Sequence, residues 1–278
     1  MTDAAPPLSS PFKIGIAGCA GRMGRLLAQH CLDGAAQSIV LGGGSVHNAA
    51  QAGQDVGALA GAAPAGIAAV ADPEALFSSC DAVIDFTAPE ATRRHVWLAA
   101  KHHLPLVVGT TGLSREDEAE LADAAREAPL LYAPNMSLGV TLMTALTEKV
   151  AAALGPEAWD IEIGETHHRH KLDAPSGTAL ALGRAAARGR GRRLDEIAVH
   201  NRRGHTGARE AGSIGFSVRR GGDIAGEHTV SFFGDGERFE LSHAAGSRLV
   251  FARGALRAAL WLRGRPQGLY TMRDVLGI

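Results

Sequence analysis

The stretch Phe12-Lys13-Ile14-Gly15-Ile16-Ala17-Gly18-Cys19-Ala20-Gly21-Arg22-Met23-Gly24 decides the fold. A short apolar run, Phe12 to Ala17, enters a turn of the form G-x-x-G-x-x-G, a helical pattern follows from about Gly21 to Leu32, and a second apolar run begins at Ile39. This is a strand-helix-strand unit. Early glycines in such a turn permit a tight bend and close approach of backbone to a pyrophosphate, and a later one lets helix and strand pack closely. The helix N-terminus adds free N–H groups and the positive end of its dipole. A glycine turn without a ligand has the same spacing; its place inside the strand-helix-strand unit favours the phosphate reading.

An acid at the end of the second strand would bond the ribose hydroxyls of NAD and repel the 2′-phosphate of NADP. Here the segment is Gly42-Gly43-Gly44-Ser45-Val46-His47-Asn48, with neither an acid nor a Lys or Arg. Weak discrimination between NADH and NADPH is expected.

Outward from this unit, apolar runs at Ala82 to Phe86 and Leu104 to Val108 alternate with helix-like segments Pro89 to Lys101 and Ser114 to Glu127, which indicates a parallel sheet covered by helices. Ser114 and Asp117 have the spacing of a capping box. After about Ala133 the pattern changes. A helical segment, Leu138 to Leu154, leads to runs that alternate apolar and polar residues: Trp159 to Ile163, Ile214 to Arg219, His228 to Phe233 and Arg238 to His243. These predict an antiparallel sheet with one open face. Gly254 to Leu262 and Met272 to Leu276 return to helical spacing.

At 278 residues and 46% apolar content the chain suits two domains with ordinary cores. A net charge of −1 asks for neither nucleic acid nor an anionic membrane as partner. Three cysteines, Cys19, Cys31 and Cys80, are odd in number and lack C-x-x-C spacing, so they read as reduced thiols. No apolar stretch reaches a membrane span, and the start, rich in Pro and Ser, has no signal-peptide pattern. Residues 1–11 read as a disordered tail, and a cytoplasmic location is expected.

The densest chemistry is Glu165-Thr166-His167-His168-Arg169-His170-Lys171-Leu172-Asp173-Ala174-Pro175-Ser176-Gly177-Thr178. Three histidines, an arginine and a lysine within five residues would repel one another when protonated, which draws some of them towards neutral pH and suits proton transfer or an anionic substrate. The Ala-Pro-Ser-Gly-Thr run starts a helix, with Pro175 or its neighbours in the first turn, and its N–H groups suit a carboxylate. A metal site is not expected, because no Cys or paired carboxylate completes a ligand set. A solvated basic loop remains an alternative. Glu162 and Glu165 read as solvent-facing positions of their strand, Asp85 and Asp173 as strand-end and loop acids without a pattern, and Arg248 either as a substrate contact or as a loop cap.

Gly18 to Gly24 and Glu165 to Thr178 together resemble the two signature segments of the dihydrodipicolinate reductases. The likeness continues through Gly109-Thr110-Thr111-Gly112, Ala133-Pro134-Asn135-Met136-Ser137, Gly204 to Gly207, Gly222 to Thr229 and Met272 to Gly277. It implies an α/β chain: a Rossmann-type parallel-sheet domain at residues 12–136 and 248–278, and an α+β substrate and tetramerisation domain at 137–247 with an open mixed or antiparallel sheet. Two hinges joining them and a homotetramer are part of the implication. It implies His167 and Lys171 as catalytic, with His168, Arg169, Ser176, Gly177, Thr178 and Arg248 at the substrate. For the cofactor it implies Gly18, Cys19, Ala20, Gly21, Arg22, Met23, Gly109, Thr110, Thr111, Ala133, Pro134, Asn135 and Met136, with Val46 and His47 aligned to an acid and a base of many members. The activity so implied is NADPH- or NADH-dependent reduction of a cyclic dicarboxylate, 4-hydroxy-tetrahydrodipicolinate, in diaminopimelate and lysine biosynthesis. Lys171, its pKa lowered by the neighbouring cations, would then be the general acid, aided by His167. A non-catalytic dinucleotide sensor would need only the first domain, and a reductase of another cyclic imine would share the scaffold.

Overall fold

The computed structural model describes residues 11–34, 38–200 and 202–278, so that residues 1–10 of the tail expected from the sequence lie outside it. The opening segment forms β1 (Phe12–Ala17) and α1 (Arg22–Leu32), followed by β2 (Ile39–Ser45), α2 (Val56–Ala60), α3 (Pro73–Phe77), β3 (Ala82–Asp85), α4 (Pro89–His102), β4 (Leu106–Val108), α5 (Arg115–Ala124) and β5 (Pro129–Tyr132). Next come α6 (Leu138–Ala153), β6 (Asp160–His167), α7 (Gly177–Gly189), α8 (Leu194–Ile197), β7 (Ala198–Val199), β8 (Ile214–Arg220), β9 (Gly226–Gly234) and β10 (Glu237–Ala245). The chain ends in α9 (Leu249–Leu262), β11 (Gly268–Tyr270) and α10 (Met272–Leu276). It divides into two compact units, one running to Met136 and resuming at Phe251–Gly277, the other spanning Ser137–Val250.

The first unit holds a six-stranded sheet in the order β11-β5-β4-β3-β1-β2, every pair parallel. All four residues of β3 and all three of β4 are buried, as a sheet covered on both faces requires. Leu76, Val83, Val96, Leu106, Leu121 and Leu130 share one core cluster. The capping box of α5 forms as its spacing predicts, with the Asp117 N–H donating to Ser114 Oγ and the Ser114 N–H to the Asp117 carboxylate. β4 begins at Leu106, after Pro105: proline has no N–H for a ladder, although its carbonyl accepts from the Val83 N–H at 3.0 Å. β5 and β11, of four and three residues, are too short for periodicity to reveal.

The second unit holds a five-stranded sheet in the order β10-β9-β6-β8-β7. It is mixed rather than antiparallel: β6 pairs antiparallel with β9 but parallel with β8, and β8 is parallel to β7. The helices α7 and α8 supply the crossover that a parallel β6–β8 pair needs. One face carries Ile161, Ile163, Ile214, Val230 and Phe232, all fully buried and clustered with Met143, Leu182 and Ala186 of α6 and α7. Burial of each such side chain stabilises by about 1.5–3 kcal/mol. The other face is polar, with Glu162 paired to Arg202 and Arg209. α7 starts within the Ala-Pro-Ser-Gly-Thr run: Ser176 is the cap, its Oγ accepting from the Ala179 N–H, and Pro175 precedes the cap.

Helix α1 reaches the sheet through Gly24. A Cβ there would lie 2.2 Å from the Gly18 carbonyl oxygen and 2.8 Å from the Cys19 Cα, both backbone atoms that cannot step aside cheaply. Ala is favoured over Gly in a helix interior by about 1 kcal/mol, but overpacking costs about 1–3 kcal/mol, so the clash should win. Gly24→Ala is therefore expected to lower the unfolding free energy, measured by urea titration; an unchanged or raised midpoint would refute the packing argument.

Candidate active site

Alternation along β6 sets the second unit's chemistry. Ile161 and Ile163 face the core, so Glu165 and His167, two and four residues beyond Ile163, face the same way and are buried. Glu162 lies on the opposite face. The expectation that both glutamates face solvent fails for Glu165, because positions 162 and 165 differ by an odd number of residues in a period-two strand. Glu165 is 1% exposed and fully engaged. Arg220, at the end of the neighbouring strand β8, donates from Nη1 to Oε2 at 2.7 Å and from Nη2 to Oε1 at 2.8 Å. The Ser176 N–H donates to Oε1 at 2.9 Å, and His167 Nδ1 lies 2.6 Å from Oε2. Burial pushes the carboxyl upward, yet the Arg220 fork, His167 and the Ser176 N–H together hold it below the ordinary carboxylate range.

His228, opposite Glu165 on β9, completes the cluster; its ring meets that of His167 edge-on with centroids 5.1 Å apart. Ser176 Oγ accepts from the Ala179 N–H and lies 3.1 Å from His228 Nε2, within hydrogen-bonding distance. Burial first, and the neighbouring His167 second, push His228 down to about 4, which keeps it neutral at neutral pH. Glycine is required at 226, where φ is +154° and a Cβ would lie 2.9 Å from His167 Nε2.

The loop after β6 folds back on β8 and β9 through three backbone bonds, from the Gly221 N–H to His167 O, the His168 N–H to Ile224 O and the Arg169 N–H to Gly222 O. Lys171 is not only among cations: its Nζ lies 2.8 Å from Asp173 Oδ1, and the Asp173 carbonyl accepts from Arg220 Nη2 at 2.7 Å. Asp173, without a pattern in the sequence, thus links the lysine to the buried cluster. Arg248 Nη2 approaches His168 Nε2 at 3.5 Å. Burial first, then the charges of Arg248, His167, His170 and Lys171, hold His168 below the usual histidine range. Arg169 and Gly177 are exposed and Thr178 is half-buried. Sequence reading missed Arg220 and His228, and the signal for both was the strand alternation that puts them on the Glu165 face.

In the first unit the glycine turn has the form that a pyrophosphate needs. Gly18 sits at φ +72°, in the left-handed region, and α1 has no side-chain cap at Gly21, its first intrahelical bond being from the Arg25 N–H to Gly21 O. The backbone N–H groups of the first turn of α1 fit an anionic group. Cys19 is fully buried and contributes backbone only, Ala20 and Met23 are half-buried, and Arg22 is exposed. Of the pair after β2, Val46 is buried with its N–H bonded to Val70 O, whereas His47 is exposed. Gly109 leaves space for the Phe86 ring, 2.2 Å from where its Cβ would be. Thr111, Pro134 and Asn135 reach the surface in whole or part, while Ala133 and Met136 are buried.

Thr110 is buried with Asp85, a fully buried carboxylate that the sequence reading left as an unpatterned strand-end acid. Asp85 accepts from the Thr87 N–H at 2.8 Å, Thr87 Oγ1 at 2.6 Å and Thr92 Oγ1 at 2.9 Å, and His95 Nδ1 lies 2.8 Å away. Burial raises its pKa, but the His95 hydrogen bond and the threonine donors outweigh that and hold it low.

Comparison with known proteins places this geometry. Sequence models of the two parts of one family, described as dihydrodipicolinate reductase N-terminus and C-terminus, match residues 12–136 and 139–276. The chain belongs to the dihydrodipicolinate reductase family. It is 51% identical over 267 residues to a 4-hydroxy-tetrahydrodipicolinate reductase of Methylocella silvestris, covering 96% of this chain and 97% of that one. It is 48% identical over 267 residues to the protein of that name from Magnetococcus marinus, covering 96% and 98%. A dipicolinate-bound dihydrodipicolinate reductase from Paenisporosarcina sp. TG-14 shares the fold with a TM-score of 0.75 at 24% identity, over 95% of this chain and 99% of that one. An amine dehydrogenase from Mycobacterium smegmatis superposes with a TM-score of 0.60 at 14% identity, over 95% and 96% of the two chains.

Two outcomes follow for this family member. Asp85→Ala strands His95 Nδ1 and three donors of Thr87 and Thr92, and breaking a buried pair typically costs about 3–5 kcal/mol, so a loss of that size is expected in chemical denaturation. His228 binds a proton in the unfolded chain below about pH 6.5 but in the folded chain only below about 4. The unfolded state holds more protons in that window, so stability is fully present above 6.5 and is lost as the pH falls towards 4, by roughly 3 kcal/mol at about 1.4 kcal/mol per unit. His228→Gln should shrink the difference in unfolding free energy between pH 7 and pH 4 by that amount; an unaltered pH dependence would show that His228 carries no such burden.

Proposed function

We propose that the chain reduces 4-hydroxy-tetrahydrodipicolinate to tetrahydrodipicolinate, with loss of water and at the expense of NADPH or NADH, as a step of diaminopimelate and lysine biosynthesis. The observation that carries this is the near-half identity, along almost the whole chain, to proteins bearing that name. The buried Glu165–His167 pair with Lys171 close by gives the identity a chemistry.

The turn Gly18 to Gly24 and the segments Gly109 to Thr111 and Ala133 to Met136 would hold the nicotinamide dinucleotide, which when bound supplies hydride. The exposed His47 and the lack of an acid after β2 admit both NADH and NADPH. In the second unit the substrate is a dicarboxylate. Arg248, Arg169 and the N–H groups of Gly177 and Thr178 at the start of α7 would orient its carboxylates, the Ser176 N–H being held by Glu165. Once water has left C4, addition of hydride to the conjugated imine makes an electron-rich centre that must take a proton. Lys171 Nζ would donate it as general acid, with His167 assisting in proton transfer. The family likeness also implies a homotetramer and a cytoplasmic location; no helix among the described residues is long and apolar enough to cross a membrane.

Mixing the protein with freshly generated 4-hydroxy-tetrahydrodipicolinate, and following absorbance of NADH and NADPH in separate assays, tests the reading. Both cofactors are expected to be oxidised, and kcat should fall about 10²- to 10⁴-fold in Lys171→Ala and His167→Ala, the usual worth of a placed general acid or base. Bound cofactor without oxidation would leave a dinucleotide sensor or a reductase of another imine.

A further inference from the structure

Glu165 is the residue whose bonding is least explained by the roles assigned above. It is 1% exposed, touches nothing in solvent and has both oxygens engaged by an arginine fork, a histidine nitrogen and a backbone N–H. An ionised carboxylate only accepts, so the hydrogen between Glu165 Oε2 and His167 Nδ1 belongs to the histidine. That fixes the tautomer. When neutral, His167 presents its lone pair at Nε2; when charged, it presents an Nε2–H. In either state protons enter and leave at Nε2, the atom that Gly226, lacking a Cβ, leaves uncovered. The other oxygen, Oε1, accepts the Ser176 N–H at the start of α7, the turn proposed to hold a substrate carboxylate.

We propose that Glu165 is a positioning residue that sets, through its two oxygens, both the proton-transferring atom of His167 and the place of the substrate-holding turn at Ser176. Arg220 keeps this carboxylate charged and in plane: its bidentate grip leaves the rotation of the carboxylate no freedom and balances its charge inside the unit. The inference rests on the reading of His167 as a proton-transfer residue.

A glutamine at 165 keeps size and shape but turns its N–H₂ towards an Arg220 nitrogen in either orientation, and towards His167 Nδ1 in one and the Ser176 N–H in the other. Facing the histidine, it moves the ring hydrogen to Nε2 and closes the proton path. At a histidine-orienting carboxylate in serine proteases the same kind of swap costs about 10⁴-fold in kcat with the geometry intact.

The test is a double-mutant cycle in the full chain, comparing wild type, Glu165→Gln, His167→Gln and the double variant, with kcat, both KM values and the pH profile of kcat/KM recorded for each. Expected are a fall in kcat of about 10² or more for Glu165→Gln, cofactor KM within about twofold of wild type, a displaced limb in the pH profile, and a double variant no slower than His167→Gln alone. Losses that multiply across the two sites, or a Glu165→Gln variant with wild-type kcat, would overturn the inference while leaving the reductase reading intact. A wild type that oxidises neither cofactor would overturn the reductase reading and this inference with it. If Glu165→Gln does not fold, Glu165→Asp, which retains the charge for Arg220 but draws the carboxylate back from Nδ1 by one methylene, enters the same cycle with the same expected non-additivity.

Discussion

A carboxylate removed from water must recover its hydrogen bonds from the protein, and the second unit is organised around that demand at Glu165. The cost of an unpartnered buried charge is several kcal/mol, more than most single contacts return. Strand pairing delivers the partners. β8 lies beside β6 in a parallel register that sets Arg220 against His167 and near Glu165, β9 lies on the other side and sets His228 opposite Glu165, and the cap residue of α7, Ser176, donates its N–H to the same carboxylate. An antiparallel β6–β8 pair would need no crossover, and α7 would then have no reason to start where Ser176 reaches Glu165.

Asp85 in the first unit meets the same demand by other means. Its donors are a backbone N–H, three threonine hydroxyls and one histidine ring, with no arginine. These donors sit on three separate pieces of chain: the turn after β3, the first two turns of α4, and Thr110 in the loop after β4. One buried carboxylate at a strand end therefore ties together backbone segments that flank the glycine turn. Thr87 closes the arrangement by packing its methyl against Gly18, 2.9 Å from where a Cβ would stand. In both units a charge near the C-terminal end of a central strand fixes the neighbouring loops.

The sequence made legible what periodicity and local chemistry encode. The strand-helix-strand opening, the capping box at Ser114 and the helix beginning near Ser176 each depend on neighbours a few residues away, and each forms. The first unit's short strands, Pro129–Tyr132 and Gly268–Tyr270, carry too few residues to show a period. The mixed sheet was hidden for a different reason: alternation reports which face a residue takes but not which direction the neighbouring strand runs. Glu165 shows the sharper limit. Its face follows from Ile161 and Ile163, and strict counting would have buried it. Reading both glutamates as alternating with the apolar face put Glu165 in solvent, and the arginine that makes its burial tolerable lies 55 residues further along the chain.

The cluster also changes what a run of His, Arg and Lys means. Read linearly, residues 167–171 form a patch of like charge whose members depress one another. Folded, the patch is interleaved with two acids, Glu165 beneath it and Asp173 beside Lys171, and Arg220 bridges both through the Glu165 carboxylate and the Asp173 carbonyl. His228 remains neutral, so the buried part of the cluster carries an ion pair that balances itself, and positive charge lies outward on Arg169 and Arg248. The outward cations face solvent, whereas the Glu165 carboxylate behind them is held on both oxygens by Arg220, His167 and the Ser176 N–H. Preorganised charge of this kind needs little reorganisation when a proton moves beside it.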